Sequence, residues 1–477
     1  MDFAPMYGRA RTPWFALASL LLAACATGAN GATALPPPAP SSSFHPTRLA
    51  PDDSDQVLRG PVLERAAYVR AVLQRNASIE SARQGWRAAV ARARQAGEVD
   101  DPMVNVGIAP LSIGSSSARL GYEVGIHQRL PWFGKRALER DAASAEAGAA
   151  KGDFEATKRE LALAASSLYD QYFVTVRSLA IHEEHIRLMR TLHAGALAQF
   201  EAGRAMAHDP LQAEAELAHL EHDVVVLASR RDVTVAQMNE LLHRAPELPL
   251  PSPPNELALP PAPSVAQAAR DVRDGRDSER LREEALARRP EITAARERER
   301  AEVARAERGR REYYPDVTVS TSYNAMWDMP EHRWMVGLAF PLPIQTGRRA
   351  GAVDEADAAR ARMASEVAHL RDMARTQVFV AVKQLEESEH LVRSFEARLL
   401  PVARSQIDAA RAGFVASQSS FSAVIEAERG LRRAELEYQV ARADCDRRHA
   451  ELERALGRIP GLGEPGQIRI RGEEAVR

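Results

Sequence analysis

Two pairs of histidines have a spacing that could serve chemistry. His182 and His185 stand three residues apart, as do His219 and His222, and this spacing places both rings of a pair on one face of a helix. A zinc-protease helix needs histidines four residues apart with a glutamate beside the first, so neither pair matches it. Two interpretations stay open, a weak cation site and solvated surface histidines, and we expect the second.

Cys25 offers covalent chemistry of another kind. It ends the sequence Leu22-Ala23-Ala24-Cys25, after a positive segment with Arg9 and Arg11 and an apolar run from Trp14 to Ala24. That run is far shorter than the roughly 20 residues of a spanning helix, so it predicts an export signal that is removed. The residues before the cut resemble a bacterial lipoprotein signal, and we expect Cys25 to carry a thioether-linked lipid. An ordinary secretory signal is the alternative.

The composition excludes several classes of function. A net charge of −2 over 477 residues gives no basis for nucleic-acid binding. No phosphate-binding loop, nucleophile elbow or cysteine metal cluster occurs, so we expect neither an enzyme nor a cofactor. Alanine, arginine and glutamate dominate long stretches, which favours long charged helices packed through small residues. After the signal no apolar run suits a transmembrane helix, so any further membrane-embedded part has to consist of strands.

The rest of the chain consists of two copies of one unit. Leu130-Pro131 before Gly134-Lys135-Arg136 is echoed by Phe340-Pro341 before Gly347-Arg348-Arg349, and Ala202-Gly203 is echoed by Ala412-Gly413. Pro131 and Pro341 are 210 residues apart (341 − 131), and so are Gly203 and Gly413 (413 − 203). An offset held over about 70 residues indicates a duplication.

Proline-rich segments set the predicted domain boundaries. In chain order we expect a signal peptide (1–24), a lipid-anchored Pro/Ser-rich tether (25–60), a first repeat (61–244), a proline-rich linker (245–278), a second repeat (279–458) and a C-terminal tail (459–477).

Each repeat begins with a predicted helix of about thirty residues, over roughly 62–97 or 279–311, followed by two alternating segments. In the clearest segment, apolar residues from Leu120 to Ile126 alternate with Gly121, Glu123, Gly125 and His127. Period-two patterning over 8–11 residues predicts strands, and about 9–11 residues suit a tilted membrane strand. We expect the polar side to face a lumen and the apolar side to face lipid. Two surface hairpins on a soluble core are the alternative.

A very long helical stretch follows each pair of strands, over about 136–200 and 348–410. Some 60 residues at 1.5 Å each span on the order of 90 Å. Apolar residues keep a 3–4 spacing on both sides of a break near Gly203 or Gly413, so we expect a returning helix to about 243 or 457. Glycine at positive φ should form both turns.

Four strands cannot close a membrane barrel, and an open sheet edge cannot face lipid because its backbone groups would lack hydrogen-bond partners. The chain must therefore oligomerise. The long helical hairpins below the same pore would continue it as a tube. The sequence thus predicts an oligomeric channel, and a periplasmic coiled-coil scaffold without a pore is the alternative.

The duplicated motifs resemble those of the TolC-like outer-membrane factor family. They are Gln128 to Arg136, Phe340 to Pro343 with Gly347 to Arg349, and the runs Gly203 to Glu214 and Gly413 to Ala423. Over roughly residues 60–460, the resemblance implies a mainly α fold with a small membrane β-barrel, in which a trimeric α-barrel continues a twelve-stranded β-barrel. It further implies a homotrimer in outer-membrane lipid that docks to a periplasmic adaptor protein and an inner-membrane efflux transporter and passively conducts their substrate. The Leu130 to Lys135 run is most similar to members that serve heavy-metal efflux, with drug efflux and type I protein secretion as alternatives.

The resemblance also implies that the two turns form the periplasmic tip, where the adaptor docks and the pore narrows. We expect four residues to contact the adaptor: Gly203, Arg204, Gly413 and Phe414. We expect three others near the constriction: Asp209, Ser419 and Ser422. Family members often carry aspartates there, so the serines of the second repeat depart from that pattern.

Overall fold

Two halves with the same order of elements make up the described chain. The computed structural model describes residues 58, 60–114, 119–257, 276–416 and 418–462, so Cys25, the signal peptide and most of the tether and tail lie outside them. The first half contains α1 (Arg65–Arg75), α2 (Ala77–Gln95), β1 (Met103–Ile108), β2 (Tyr122–Leu130), α3 (Lys135–Glu201) and α4 (His208–Leu241). The second contains α5 (Arg276–Arg288), α6 (Pro290–Arg311), β3 (Val317–Asn324), β4 (Trp334–Ala339), α7 (Thr346–Ser394), a π-helical turn (Phe395–Leu399), α8 (Leu400–Val415) and α9 (Phe421–Ala455).

The helix predicted at the start of each repeat is in fact two helices. The backbone at Asn76 is extended, and its side chain accepts a hydrogen bond from the Ser78 N–H (2.9 Å), which caps α2. Pro290 lies in the first turn of α6, and its ring disfavours helical backbone at Arg289, which is extended. The prediction of one continuous helix over 62–97 or 279–311 is therefore wrong, because a cap residue and a proline each end a helix midway.

One antiparallel sheet contains all four strands in the order β1-β2-β3-β4. Both predicted hairpins form, with Val106 opposite Val124 and Thr321 opposite Val336. β2 also pairs with β3, so the two repeats share one sheet with β1 and β4 at its edges. The strands are 6–9 residues long, slightly shorter than the alternation predicts.

The long helices extend over the predicted stretches. α3 has 67 residues, which corresponds to a length on the order of 100 Å. In the second repeat α7 and α8 are joined by the π-helical turn, where the Leu400 N–H bonds to the Phe395 carbonyl. Pro401 follows at once, and the wider turn accommodates its ring, which an α-helical turn would crowd. Within the described ranges, length and hydropathy together rule out a membrane-crossing helix.

The core forms where helices of both repeats meet. A buried apolar cluster joins α1, α3, α4 and α9, and its largest fully buried members are Tyr68, Tyr169, Phe154 and Phe173. α3 and α6 approach so closely that a Cβ at Gly152 would lie 2.8 Å from the Ala294 side chain. This contact is of the small-residue kind that the alanine-rich composition predicts.

Candidate functional site

The four-stranded sheet has one apolar face and one polar face. The register brings exposed apolar side chains of β1, β2 and β4 to the same side: Val104, Val106, Ile108, Tyr122, Val124, Ile126, Trp334, Val336 and Leu338. Apart from Met103 and Met335, polar or small residues occupy the other side, among them Asn105, Gly107, Glu123, Gly125, His127, Thr318, Ser320, Ser322 and Asn324. An exposed apolar surface of this extent indicates contact with something other than water.

Aromatic rings cluster at the loop end of the apolar face. The ring centroids of Tyr122 and Tyr323 are 6.0 Å apart, and those of Tyr323 and Trp334 are 5.3 Å apart. Tyrosine and tryptophan favour the boundary between a membrane and water, because one end of each ring is polar. The cluster therefore suits a membrane–water boundary at this end of the sheet.

Glu123 places a carboxylate on the polar face near the same end. The Asn324 side-chain N–H donates to Glu123 Oε2 over 3.4 Å. Gly107 lies opposite Glu123 in the register, and a Cβ added there would meet nothing within 4 Å. Among the described residues, the space beside this carboxylate is open.

A buried ion-pair cluster joins the sheet to α3. Lys135, the first residue of α3, is buried, and its Nζ lies 2.9 Å from Asp316 Oδ1. The same ammonium donates to the Tyr314 carbonyl (2.9 Å) and lies 3.4 Å from Glu312 Oε2. Lys135 therefore ties the first residue of the long helix to the segment that leads into β3.

Asp316 is the centre of this junction. It also accepts hydrogen bonds from the Trp132 backbone N–H (3.0 Å) and from Arg129 (2.6 Å). Burial alone would raise the pKa of Asp316, but the bonds from Trp132, Lys135 and Arg129 lower it to about 2. The sequence interpretation missed Asp316, although a carboxylate directly before a strand, at the sheet end that carries Lys135, was the available signal.

The motif around Trp132 shapes the turn between β2 and α3. Trp132 stacks on Tyr314 with ring centroids 5.6 Å apart and an interplanar angle of 9°. Gly134 precedes α3 with φ 83°, and the Arg311 guanidinium fills the place of its missing side chain while donating to the Phe133 carbonyl (3.2 Å). The motif that carries the family resemblance is thus the joint between sheet and helix.

The first of the two predicted tip turns is a Schellman motif. The Arg204 N–H bonds to the Gln199 carbonyl (2.8 Å) and the Gly203 N–H to the Phe200 carbonyl (2.9 Å). Gly203 has φ 72°, a left-handed conformation that a side chain would strain. The prediction of glycine at positive φ is therefore confirmed here, and Arg204 next to it is exposed.

The second turn differs, and the prediction of positive φ at Gly413 is wrong. Gly413 has helical backbone within α8, which continues to Val415 and is capped at Ala416. The Gly413 carbonyl accepts hydrogen bonds from the N–H groups of Gln418 (2.7 Å) and Ser419 (3.1 Å). The helix reverses later than the sequence match implies, because these bonds close the turn beyond Gly413.

The three residues predicted near a constriction all lie at the turns. Asp209 accepts a hydrogen bond from the Met206 N–H (3.3 Å) at the start of α4. Ser419 donates to the Ala410 carbonyl (3.1 Å), within its own turn. Ser422 donates to Gln212 Oε1 (3.0 Å), which links α9 to α4. Only Ser422 of the three therefore makes a side-chain bond to the other repeat.

Phe414 packs between the two repeats. Its ring centroid is 5.2 Å from that of Phe421, and both belong to an apolar cluster with Met189 and Leu220 of the first repeat. Phe414 is half-buried, so most of its contact is with this chain. Arg204 is the more exposed of the two side chains predicted to dock a partner.

The interpretation of all four histidines as solvated surface residues is wrong for His182 and His185. Both are buried, whereas His219 and His222 are exposed. His185 bonds through Nδ1 to Glu428 (2.7 Å) and through Nε2 to Glu435 (3.0 Å), so both nitrogens donate. Burial alone would lower the pKa of His185, but the two carboxylates raise it to about 9.

The two histidine pairs do not form one site. His182 bonds through Nδ1 to the Ser178 carbonyl (2.8 Å), and its Nε2 is 3.7 Å from Asp223. Among the residues that the structure describes, no group of three or more His, Cys, Asp and Glu side chains could hold a metal ion.

Glu216 provides a second buried charge between the repeats. It lies on α4 and pairs with Arg429 (2.6 Å) and Arg432 (3.0 Å) of α9. Burial opposes ionisation, but the two arginines lower the pKa of Glu216. With His185 and Glu428, these pairs hold the helical hairpin of the first repeat against the returning helix of the second.

Comparison with known proteins identifies the class. Residues 281–458 match the outer membrane efflux protein family. The fold is similar to that of the outer membrane protein VceC of Vibrio cholerae, with a TM-score of 0.68 and 17% identity over 83% of this chain and 96% of VceC. It is equally similar to CusC, whose structures concern transmembrane channel formation, with a TM-score of 0.68 and 16% identity over 84% of this chain and 94% of CusC.

The second repeat thus resembles the outer membrane efflux protein family in sequence, and the described chain has the fold of solved outer-membrane channels. This confirms the resemblance predicted from the duplicated motifs. The cobalt-zinc-cadmium resistance protein CzcC of Cupriavidus metallidurans is 28% identical over 200 residues, or 40% of this chain. The match spans about half of that relative, 46% of its length.

Proposed function

We propose that this protein is the outer-membrane channel of a tripartite efflux system, which passively conducts substrate from a periplasmic adaptor and inner-membrane pump to the exterior. The observation that carries the proposal is the two-faced sheet, joined through Lys135 and Asp316 to a helix on the order of 100 Å long. Lipid on the apolar face and water on the polar face would suit both sets of side chains.

The edges of the sheet support a trimer. Among the described residues β1 and β4 each have one neighbouring strand, so each has a row of backbone N–H and C=O groups without a strand partner there. Such groups cost several kcal/mol each in lipid. Three copies, with β4 of one copy beside β1 of the next, would close a twelve-stranded barrel, and the helical hairpins would continue it as a tunnel.

The two turns are the proposed docking tip. Met206 and Val415, one at each turn, are 77% and 76% exposed, so both apolar side chains are available to a protein partner. Together with Gly203, Arg204, Gly413 and Phe414 they would contact the adaptor. Asp209, Ser419 and Ser422 would lie where the trimer's tunnel narrows.

The N-terminal segment supplies the proposed anchor. Cys25 would carry the lipid after removal of residues 1–24, and residues 25–60 would tether it to the first repeat, 61–244. The linker 245–278, the second repeat 279–458 and the tail 459–477 complete the proposed domain order.

The proposed cargo is a heavy-metal cation. The support is the similarity to CzcC, a cobalt-zinc-cadmium resistance protein, and the open Glu123 carboxylate on the polar face. A carboxylate beside the conduction path attracts cations and repels anions.

Conductance in a planar bilayer tests the channel. The full-length protein should give discrete conductance steps. Val336→Arg on the apolar face should block insertion, because a charge in the bilayer centre costs about 2–4 kcal/mol. The matched Ser320→Arg on the polar face should still insert and conduct. Absence of conductance in the wild type, or equal insertion of both variants, would refute the channel.

Metal sensitivity tests the cargo separately. Deleting the gene should sensitise its host to cobalt, zinc or cadmium ions, and the wild-type gene should restore resistance where Val336→Arg does not. Unchanged sensitivity with an intact bilayer conductance would leave the channel standing and remove the metal assignment.

A further inference from the structure

Arg65 and two buried carboxylates, one in each repeat, hold α1 to both repeats. Arg65 of α1 forms an ion pair with Asp170 of α3, and its Nη2 also lies 3.5 Å from Asp446 Oδ2 of α9. The two carboxylate side chains are only 5% and 2% exposed. One guanidinium therefore faces two carboxylates, so the fully ionised cluster would carry an excess negative charge in the interior.

The carboxylates are short of hydrogen-bond donors. Asp170 Oδ2 and Asp446 Oδ1 are both buried and accept no hydrogen bond from the residues that the structure describes. A buried anionic oxygen without a donor is costly, and a proton on one carboxylate would remove the excess charge. Burial, opposed by Arg65 and reinforced by Asp446, raises the pKa of Asp170 to about 7, and burial also raises the pKa of Asp446.

Other arginines of α9 do not supply the missing counter-charge. Arg447 pairs with Asp444 and lies 3.7 Å from Glu451. Arg442 donates to the Leu257 carbonyl (2.5 Å). Both contribute to the field at the cluster, but neither forms an ion pair with Asp170 or Asp446 among the described contacts.

The remaining titratable neighbours add no positive charge near neutral pH. His449 is only 12% exposed, and burial together with Arg65 lowers its pKa to about 4, so it is neutral near pH 7. Glu453 accepts the Gly461 N–H (2.8 Å), and burial raises its pKa. Tyr169 donates to the Leu63 carbonyl (2.7 Å), with Glu64 nearby.

We propose that Asp170 and Asp446 share a single proton and that its uptake from solvent tightens the docking of α1 onto both repeats. The proton neutralises one carboxyl while the other remains the partner of Arg65, as expected where two interacting carboxylates face one guanidinium. α1 is otherwise held by apolar packing and by Tyr68, whose hydroxyl donates to the Met238 carbonyl (3.2 Å). α1 is therefore bound more firmly in mildly acidic than in alkaline surroundings.

The sign of the pH dependence follows from the raised pKa. An unfolded aspartate has a pKa of about 3.9, so between about pH 4 and pH 7 the folded state binds one proton more than the unfolded state. The contribution of this pair to the free energy of unfolding is therefore largest below about pH 4 and falls as the pH rises towards 7. His449 acts in the opposite sense, because its lowered pKa disfavours the folded state in acid. The wild-type curve alone would therefore mix two effects.

Dividing the equilibrium constant for unfolding of the wild type by that of Asp170→Asn separates the effect of the shared proton from that of His449. Urea unfolding of the full-length protein in detergent, followed by helical circular dichroism from pH 4.5 to 8, gives the constant for the wild type and for Asp170→Asn. The ratio of wild type to variant should rise by up to about tenfold per pH unit below pH 6.5 and level off above pH 7. The matched control is Asp153→Asn, an exposed α3 carboxylate paired with Arg298, whose ratio should stay constant.

A ratio for Asp170→Asn that does not change with pH would overturn the proposal. Infrared difference spectra between pH 5 and pH 8 provide a readout if that variant does not fold. The wild type should lose a protonated-carboxyl stretch as the pH rises, and Asp446→Asn should lack that signal, because Arg65 then neutralises Asp170 alone. Absence of the signal from the wild type, or its survival in Asp446→Asn, would also overturn the proposal.

Discussion

At the scale of residues, burial decides which of the many charges matter. Arg–Glu pairs cover the helix surfaces, and exposed pairs of this kind are worth at most about 1 kcal/mol. The pair of Lys135 and Asp316 is different, because these side chains are only 5% and 12% exposed and join the sheet to α3. Arg129 contacts the same carboxylate but is 60% exposed.

Asp316→Asn should destabilise the protein by about 3 kcal/mol, because it leaves the buried Lys135 ammonium without its closest counter-charge. Arg129→Gln should cost less than about 1 kcal/mol, since that guanidinium stays in water. Urea unfolding at pH 7 measures both. Similar losses in the two variants would contradict the central role of Asp316.

Asp316→Asn should also change how the stability of the protein depends on pH in acid. The folded-state pKa of Asp316 is lowered to about 2. Its contribution to the free energy of unfolding is therefore present above pH 4 and is lost as the pH falls towards 2. Asp316→Asn should remove this part of the acid transition.

At the scale of elements, two turns with matching sequences have different structures. Gly203 ends α3 in the left-handed region, whereas Gly413 remains helical and α8 continues past it. A proline at 413 would therefore break α8 itself, so Gly203 is the position at which the turn can be tested.

Gly203→Ala should destabilise the protein by about 1 kcal/mol, because alanine is strained at a φ of 72°. The control is Gly195 of the same helix, where an added Cβ meets nothing within 4 Å. Gly195→Ala should stabilise by roughly 0.5–1 kcal/mol through helix propensity. Thermal unfolding compares them, and a stabilising Gly203→Ala would exclude the left-handed turn.

At the scale of the whole molecule, no described part of the chain covers the apolar face of the sheet. Val124 is exposed and points away from the polar face that carries Glu123. In the proposed trimer, lipid would cover Val124, whereas Glu123 would face the water of the lumen.

In proteoliposomes, a water-soluble thiol reagent should label Glu123→Cys much faster than Val124→Cys. The native Cys445 should give little background, because it is buried and burial raises its pKa to about 11. Mass spectrometry of the labelled chain measures both rates. Equal rates at 123 and 124 would contradict a lipid-facing and a water-facing side.

The sequence by itself determined the duplication, the long helices, the four strands and the polarity of their faces. Most of these features follow from the spacing of apolar residues along the sequence, which repeats every two residues in a strand and about every 3.6 in a helix. Such short repeats can be read from neighbouring residues. The helix boundaries at Asn76 and Pro290 are also encoded locally, by a capping side chain and a proline ring, although the prediction of a single helix missed them. The tertiary structure alone decided the pairing of β2 with β3, the bond between Lys135 and Asp316, 181 residues apart, and the burial of His185 against Glu428. Each of these joins the two repeats, and no local period specifies which distant side chain will exclude water from a charge.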